Sequence, residues 1–255
     1  MEAYIRNRFT KQIICKGDNI KQCVEQNRFV LQNTDLPMLD LTNSKLRGAD
    51  FRNSIITGTD FTGSDLGDCD FQNCDLTRMI FVNCIMTRCD FRLANLRNAI
   101  FNNCNLSGSV FRNTDMRGIH INNCKMLNSE VCCDIKDSDL DNSDYSYSAF
   151  RRSNMARCSI KNSRLIECDL RNVYFNSSDF RKSDLNNCWF RGTNLSNCNF
   201  ENADLTEAAF ENADLSNCNV KNTDMRRCII RKCNLENTDL EKANLEKIEI
   251  NGERR

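Results

Sequence analysis

Apolar residues recur at every fifth position along most of the chain. Starting at Leu36, a step of five reaches an apolar residue 20 times in succession, ending at Val131. After a shift of one residue the same step resumes at Ile135 and passes through 24 further apolar or aromatic positions to Ile250. Chance does not give 44 such positions in a chain that is 40% hydrophobic. We call these positions the centres of a five-residue repeat.

The two positions before each centre are also restricted. The residue two before the centre is Ala, Cys, Ser or Thr in 39 of the 44 repeats, and the residue just before it is most often Asp or Asn. A step of five matches neither the 3.6-residue period of a helix nor the two-residue period of a strand. It fits a square coil with one repeat on each side. In such a coil the centre and the small residue point inward, and the other three residues face solvent.

This pattern resembles the pentapeptide-repeat family, whose repeat is A-(D/N)-L-X-X, over residues 31–250. The resemblance implies an all-β fold, a right-handed quadrilateral parallel β-helix with four repeats in each coil. The 44 centres then give about 11 coils, stacked about 4.8 Å apart. Residues 20 apart should stack inside the coils, and these include two columns of phenylalanines: Phe51, Phe71, Phe91 and Phe111, and Phe61, Phe81 and Phe101.

The periodicity divides the chain into five segments. Residues 1–30 lack the repeat and surround a Gly17-Asp18-Asn19 turn, so we expect an N-terminal cap over the first coil. Residues 31–131 and 135–250 form two blocks of coils, and residues 132–134 between them form a phase break. This break is either a tight corner or a bulge with a kink. Residues 251–255 form a C-terminal tail.

The balance of charge bears on the partners. The chain has 35 basic and 35 acidic side chains and a formal net charge of zero. A nucleic-acid or membrane binder usually carries a basic excess. No apolar run approaches the roughly 18 residues needed to span a bilayer, and residues 1–9 lack the apolar region of a secretion signal. We therefore expect a cytoplasmic protein that binds neither nucleic acid directly nor membrane.

The potential catalytic and metal-binding residues fit structural positions better. Fourteen of the 17 cysteines occupy the small inward position, so we expect buried thiols in a reducing compartment, with no metal and no cofactor. Only Cys132 is expected to be exposed. The single histidine, His120, points outward and has no second base nearby in the repeat, which argues against an enzyme.

Charged residues on the outer faces form the candidate interaction surfaces. If the phase break is a simple deletion, a basic stripe aligns along one face, with an exposed Trp beside it: Arg92, Arg112, Arg151, Arg171, Arg191 and Trp189. A run rich in carboxylates forms a candidate acidic patch: Glu201, Asp204, Glu207, Glu211 and Asp214. These surfaces are either docking sites for a partner or ordinary solvated faces neutralised by neighbouring charges.

These features favour a non-enzymatic protein-interaction scaffold that binds another, unidentified protein through its outer faces. The family resemblance also implies a bacterial alternative, a topoisomerase (DNA gyrase)-binding protein that protects against quinolones, and hence antibiotic resistance. Members of that branch resemble duplex DNA in surface charge and form dimers. This chain has zero net charge and no dimerising helix after Ile250, so we expect a monomer or weak dimer. A secreted bacterial effector is a further alternative.

Overall fold

Short parallel pairings between residues 20 apart organise the chain. The computed structural model describes residues 3–17 and 19–254. Asp50 pairs with Asp70, and Asp70 pairs with Asp90, and similar ladders run along each side of the coils. Most pairings are single bridges. The named elements are β1 (Ala3–Arg6), β2 (Ile13–Gly17), α1 (Ile20–Gln26), a 3-10 turn (Arg28–Val30), β3 (Ile80–Val82), β4 (Ile100–Asn102), β5 (His120–Asn122), β6 (Ala209–Glu211), β7 (Ile229–Arg231), a second 3-10 turn (Leu240–Lys242), β8 (Glu249–Ile250) and β9 (Glu253–Arg254).

The longer strands lie on these same ladders. Strands β3, β4 and β5 pair in parallel, with Phe81 opposite Phe101 and Phe101 opposite Ile121. Strands β6, β7 and β8 form a second parallel set, in which Phe210 lies opposite Ile230. The ladders therefore join residues that lie four repeats apart in the sequence.

A left-handed residue turns the chain at nearly every corner. The residue two after each centre has a positive φ in every repeat from Leu36 to Ile250 except those centred on Val131 and Leu240. A type II turn requires a positive φ at this position, which Asn and Gly adopt at low cost. The Asp or Asn before the centre supports the turn: Asp60 Oδ1, for example, accepts a hydrogen bond of 2.8 Å from the backbone N–H of Thr62. The repeat consensus therefore encodes the corner.

The small inward residues join one coil to the next. Ser64 Oγ donates to the carbonyl of Leu41 in the preceding coil at 2.7 Å and accepts from the N–H of Ser44 at 2.9 Å. The thiol of Cys69 donates to the carbonyl of Leu46 at 3.1 Å in the same way. Every cysteine that was assigned to this position is buried, except Cys233. These cysteines thus serve as small buried groups with a weak donor.

The centres fill the interior as the sequence predicts. Phe71 and Phe91 stack with ring centroids 5.1 Å apart, and Phe91 and Phe111 with centroids 4.8 Å apart. The second column stacks likewise, with Phe81 and Phe101 at 4.8 Å. Every centre from Leu36 to Ile230 is buried. Each coil therefore buries its apolar side chains against its neighbours.

The N-terminal segment covers the first coil, although it is not all-β. Strands β1 and β2 form an antiparallel hairpin, and the short helix α1 buries Val24 beneath the coils. The cap supplies acceptors for exposed N–H groups of the first coil: Glu25 Oε1 accepts from Lys45 N at 2.8 Å, and the Arg28 carbonyl accepts from Asp50 N at 2.8 Å. The cap thereby satisfies hydrogen-bond donors along the open edge of the first coil. Asp18 of the predicted turn lies outside the described residues.

Two cysteines of the cap depart from the expectation of free thiols. Cys15 and Cys23 form a disulfide, with their Cα atoms 5.8 Å apart. The bond connects β2 to α1 and therefore ties the hairpin of the cap to its helix.

At the other end, the segment after Ile250 folds back instead of continuing the coil. Asn251 and Gly252 both have positive φ, as a two-residue type I′ hairpin requires, and β9 pairs antiparallel with β8. The centres Leu235, Leu240 and Leu245 are only partly buried, because no later coil in the described residues covers them. The same position explains the partial exposure of Cys233.

Replacing Phe91 by Ala should open a cavity between two stacked rings and lower the free energy of unfolding by about 3–5 kcal/mol. Phe91→Leu, which keeps most of the volume, should cost clearly less. Chemical denaturation of the two variants beside the parent protein measures both changes. Equal effects of the two substitutions would contradict a close-packed ring column.

Replacing Leu93 by Asn should stabilise the protein by about 1 kcal/mol, since the left-handed conformation penalises most L-residues. Leu93 has a φ of 61° and is 56% exposed, so little packing is lost. Asn73 and Asn113 occupy the same corner in the adjacent coils, and asparagines at this corner can bond to each other, as Asn53 does to Asn33 at 3.2 Å. Thermal unfolding should show a higher midpoint for Leu93→Asn than for the parent, and no increase in the midpoint for Leu93→Ala.

Candidate interaction surface

The phase break is a tight corner that leaves the ladders in register. Glu130 pairs with Ala149 and Asp115 pairs with Asp134, one residue short of the usual 20. Asp134 then pairs with Asn154, and the regular spacing resumes. The break is therefore a deletion of one residue at one corner, not a bulge.

The deleted residue is the left-handed one. Cys132 alone lies between the centre Val131 and the inward Cys133, where other repeats have two outward residues. On this side of the rod, the left-handed residue donates its N–H to the carbonyl of the residue that follows the stacked centre in the next coil: Asn113 N to Cys132 O at 3.0 Å, and Arg152 N to Arg171 O at 3.2 Å.

At the break this donor is missing. Within residues 3–17 and 19–254, no backbone N–H bonds to the carbonyl of Arg151, although the corresponding carbonyl in the adjacent coils has its partner. The carbonyl of Arg151 therefore faces a gap in the corner where a backbone N–H would otherwise lie.

A groove of about 760 Å³ lies at this corner, where the residue is missing. Its lining consists of the residues that follow the centres on this side, the left-handed residues on both sides of the gap, and Glu130 just before the centre Val131: Arg112, Asn113, Glu130, Cys132, Arg151, Arg152, Arg171, Asn172 and Arg191. The structure thus brings four of the arginines of the basic stripe together. Arg92, by contrast, bonds to Asp90 in its own coil with Nε 2.9 Å from Oδ1, and it does not line the groove.

The arginines of the groove exceed the carboxylates that pair with them. Arg112 pairs with Glu130, Arg151 and Arg171 share Asp169, and Arg191 Nε lies 3.5 Å from Glu211. Arg152 is exposed and has no carboxylate within ion-pair distance in the described part of the chain. The groove therefore has a positive excess, on a chain without net charge.

Asp169 is held between two of these arginines. Its side chain is only 8% exposed, and Arg171 Nη2 lies 2.6 Å from its Oδ2. Burial raises the pKa of this carboxyl, but hydrogen bonds from Arg171 and Arg151 outweigh burial and bring the pKa below its usual value. Asp169 consequently fixes the positions of two guanidinium groups.

Trp189 lies beside the groove and is 54% exposed. It pairs with Asp169 in the backbone ladder, and the guanidinium carbon of Arg171 lies 5.8 Å from the centre of its ring. This is a cation–π contact at the edge of a basic surface. An exposed Trp next to Arg is a frequent combination in the energetic centre of protein interfaces.

Comparison with known families identifies the repeat. A family model described as "Pentapeptide repeats (8 copies)" matches five segments, four that overlap between residues 30 and 126 and a fifth at residues 133–172. A second model, "Pentapeptide repeat region", matches residues 158–240. Together they cover most of the chain. It belongs to the pentapeptide-repeat family. No curated protein gave a significant match.

Several solved structures resemble this pentapeptide-repeat protein. HetL, a protein involved in heterocyst differentiation regulation from the cyanobacterium Nostoc, is 21% identical, with 87% of this chain and 91% of HetL covered and a TM-score of 0.43. QnrB1, a plasmid-mediated fluoroquinolone resistance protein, is 18% identical, with coverage of 85% and 88% and a TM-score of 0.35. A pentapeptide repeat protein of the Arabidopsis thaliana thylakoid lumen is 19% identical, with coverage of 57% and 70% and a TM-score of 0.22.

The acidic run of this pentapeptide-repeat protein does not form one patch. The run consists of Glu201, Asp204, Glu207, Glu211 and Asp214. Asp204, Glu211 and Asp214 lie in three separate ladders, because successive repeats lie on different sides of the coil. Three members of the run also meet bases of adjacent coils. Glu201 lies 3.5 Å from Lys221, Glu207 lies 2.9 Å from Arg227, and Glu211 is the partner of Arg191.

The remaining candidate residues of the pentapeptide-repeat protein stay apart from the groove or are poorly reactive. His120 is exposed in β5, and its Nδ1 lies 3.8 Å from Asp139. Burial raises the pKa of the half-buried Cys132 thiol, so the thiol stays protonated near neutral pH. The described residues contain no group of side chains suited to hold a metal ion. Among them, none of the helices has the length and apolar content needed to cross a bilayer.

Replacing both Arg151 and Arg171 by Gln should destabilise the protein at neutral pH and reverse the effect of Asp169 on stability. In the parent, the lowered pKa of Asp169 stabilises the fold above the unfolded value near 3.8, and this is lost as pH falls through the folded value. In the variant the two guanidinium groups are gone, and burial, the largest influence on this carboxyl, should raise the folded pKa of Asp169. The stability deficit should therefore shrink as pH falls from neutral to about 4.

Thermal unfolding across this pH range measures the deficit. Adding Asp169→Asn to the double variant should make its stability deficit independent of pH across this range. A deficit of the same size at every pH would show that Asp169 is not held by the two arginines.

Proposed function

We propose that this pentapeptide-repeat protein is a non-enzymatic scaffold that binds another protein through its outer surface. The inferred shape is a right-handed rod of about 11 coils and roughly 50 Å in length. The single observation that supports a binding role most strongly is the basic groove, where five arginines meet three carboxylates. Uncompensated guanidinium groups on a rigid wall favour a partner of complementary charge.

The binding surface in this proposal consists of Arg112, Arg151, Arg152, Arg171 and Arg191, with Trp189 at its edge. Arg151 and Arg171 position each other through Asp169, whereas Arg152 and Arg191 have the freest guanidinium groups. A rigid scaffold that presents such a surface loses little conformational entropy on binding.

Reversal of the two freest charges, Arg152→Glu with Arg191→Glu, should abolish capture of the partner from a lysate of the source cell. Both side chains are exposed and neither pairs with a buried carboxylate, so the variant should fold like the parent. Arg78→Glu is the matched control, because Arg78, like Arg152, is exposed and left-handed but lies at another corner. Mass spectrometry of proteins bound to the three baits gives the readout.

The expected result is a protein captured by the parent and by Arg78→Glu but not by the double reversal, with capture weakening as salt rises. If all three baits retain the same proteins, the basic groove is only a solvated surface. Binding to a topoisomerase is a separate candidate that follows from the family resemblance. A gyrase supercoiling assay with and without a quinolone tests it, and no effect at micromolar protein would exclude it.

A further inference from the structure

We propose that the groove at the phase break binds a short acidic segment of the partner in an extended conformation. This inference rests on the proposed scaffold role and names the chemistry of what the scaffold binds. The recognised features are carboxylate side chains, which pair with the arginines, and backbone N–H groups, one of which bonds to the carbonyl of Arg151.

The guanidinium groups provide the first half of the recognition. Arg152 has no carboxylate partner in the described residues, and the side chain of Arg191 is 65% exposed, with its acid at 3.5 Å. Each guanidinium has five N–H donors in a planar fork, which suits bidentate pairing with a carboxylate. Asp169 keeps Arg151 and Arg171 in place, so two further donors are oriented before a ligand arrives.

The carbonyl of Arg151 provides the second half. In the coils on either side, the equivalent carbonyl accepts an N–H from the left-handed corner residue, and only the deletion after Val131 removes that donor. An extended peptide carries an N–H at every residue and can replace the missing donor from outside. The sugar–phosphate backbone of DNA has no hydrogen-bond donor.

The dimensions of the groove set the length of the segment. Arg112 and Arg191 are separated by four coil steps, which span about 19 Å at the usual strand spacing. An extended chain advances about 3.3 Å per residue, so about six residues cover this distance. Trp189 at one end offers an apolar surface to a side chain of the same segment.

The interspersed carboxylates favour a peptide over a nucleic acid. Glu130 lines the groove, and Asp169 and Glu211 lie against arginines that line it. A continuous row of phosphates would meet these carboxylates, whereas a peptide can place acidic and neutral side chains in turn. The zero net charge also removes the long-range field on which nucleic-acid binding depends.

The test measures fluorescence anisotropy of labelled hexaglutamate with the purified full-length protein. Hexaglutamine controls for the peptide backbone, and hexathymidylate tests a nucleic acid of the same length. Two test variants accompany the parent, Arg152→Glu and insertion of an asparagine between Cys132 and Cys133, and Arg78→Glu serves as the control variant. The insertion restores the regular repeat, so it should keep the fold while filling the corner and supplying the Arg151 carbonyl with its N–H.

We expect saturable binding of hexaglutamate to the parent and binding at least about tenfold weaker for both variants and for hexaglutamine. Arg78→Glu should bind like the parent. Hexaglutamate should also slow the labelling of Cys132 by a thiol reagent, while labelling of the half-buried Cys233, far along the rod, stays unchanged and serves as the internal control.

Three outcomes would overturn the inference: tighter binding of hexathymidylate than of hexaglutamate, unchanged binding by the insertion variant, or no protection of Cys132. None of them depends on the cellular partner. If a partner is captured through the arginines but hexaglutamate does not bind, the scaffold role stands and the acidic-segment inference fails. If hexaglutamate binds through the groove but no partner is captured, the groove recognises acidic segments and the scaffold role fails.

Discussion

The stacking of one coil directly on the next is the constraint on which the rest of the structure depends. A single coil cannot bury its centres, because its interior is open above and below. Each coil must therefore present the same side-chain layer as its neighbours, at the same four sides and with the backbone bridges in register. The stacked rings of Phe71, Phe91 and Phe111 are the direct result of this constraint.

The phase break shows where the constraint is strict and where it is loose. Val131 is buried and in register although its repeat lacks one residue, so the interior is maintained. The loss falls on the outer corner, where no side chain is needed for packing. A change that leaves the core intact therefore creates the groove and the half-buried Cys132, and it leaves the carbonyl of Arg151 without a backbone N–H partner among the described residues.

Much of this architecture could be predicted from the sequence, because the five-residue step directly reflects the burial of the centres. The step predicted the Phe columns, the inward cysteines and, for a simple deletion, the alignment of Arg112 with Arg151. The groove could not be predicted. The groove depends on which residue of the repeat is missing. The amino-acid sequence around Cys132 does not show whether the left-handed residue or its neighbour is the one that is absent.

Two other features lie beyond the periodic signal. The disulfide between Cys15 and Cys23 lies in the cap, where no repeat indicates which side chains meet. The acidic run from Glu201 to Asp214 was interpreted as a patch because its members are close in sequence. A coil of 20 residues carries such a run around all four sides, so closeness along the chain does not mean closeness on the surface.

The crystal structure of the variant with an asparagine inserted between Cys132 and Cys133 tests the central claim most directly. The account predicts that Val131 and Phe150 remain stacked, that the new residue adopts a positive φ, and that its N–H bonds to the carbonyl of Arg151 within a filled corner. A shifted register in the coils after Asp134, or a groove that persists beside the inserted residue, would contradict the claim that one missing corner residue creates this site.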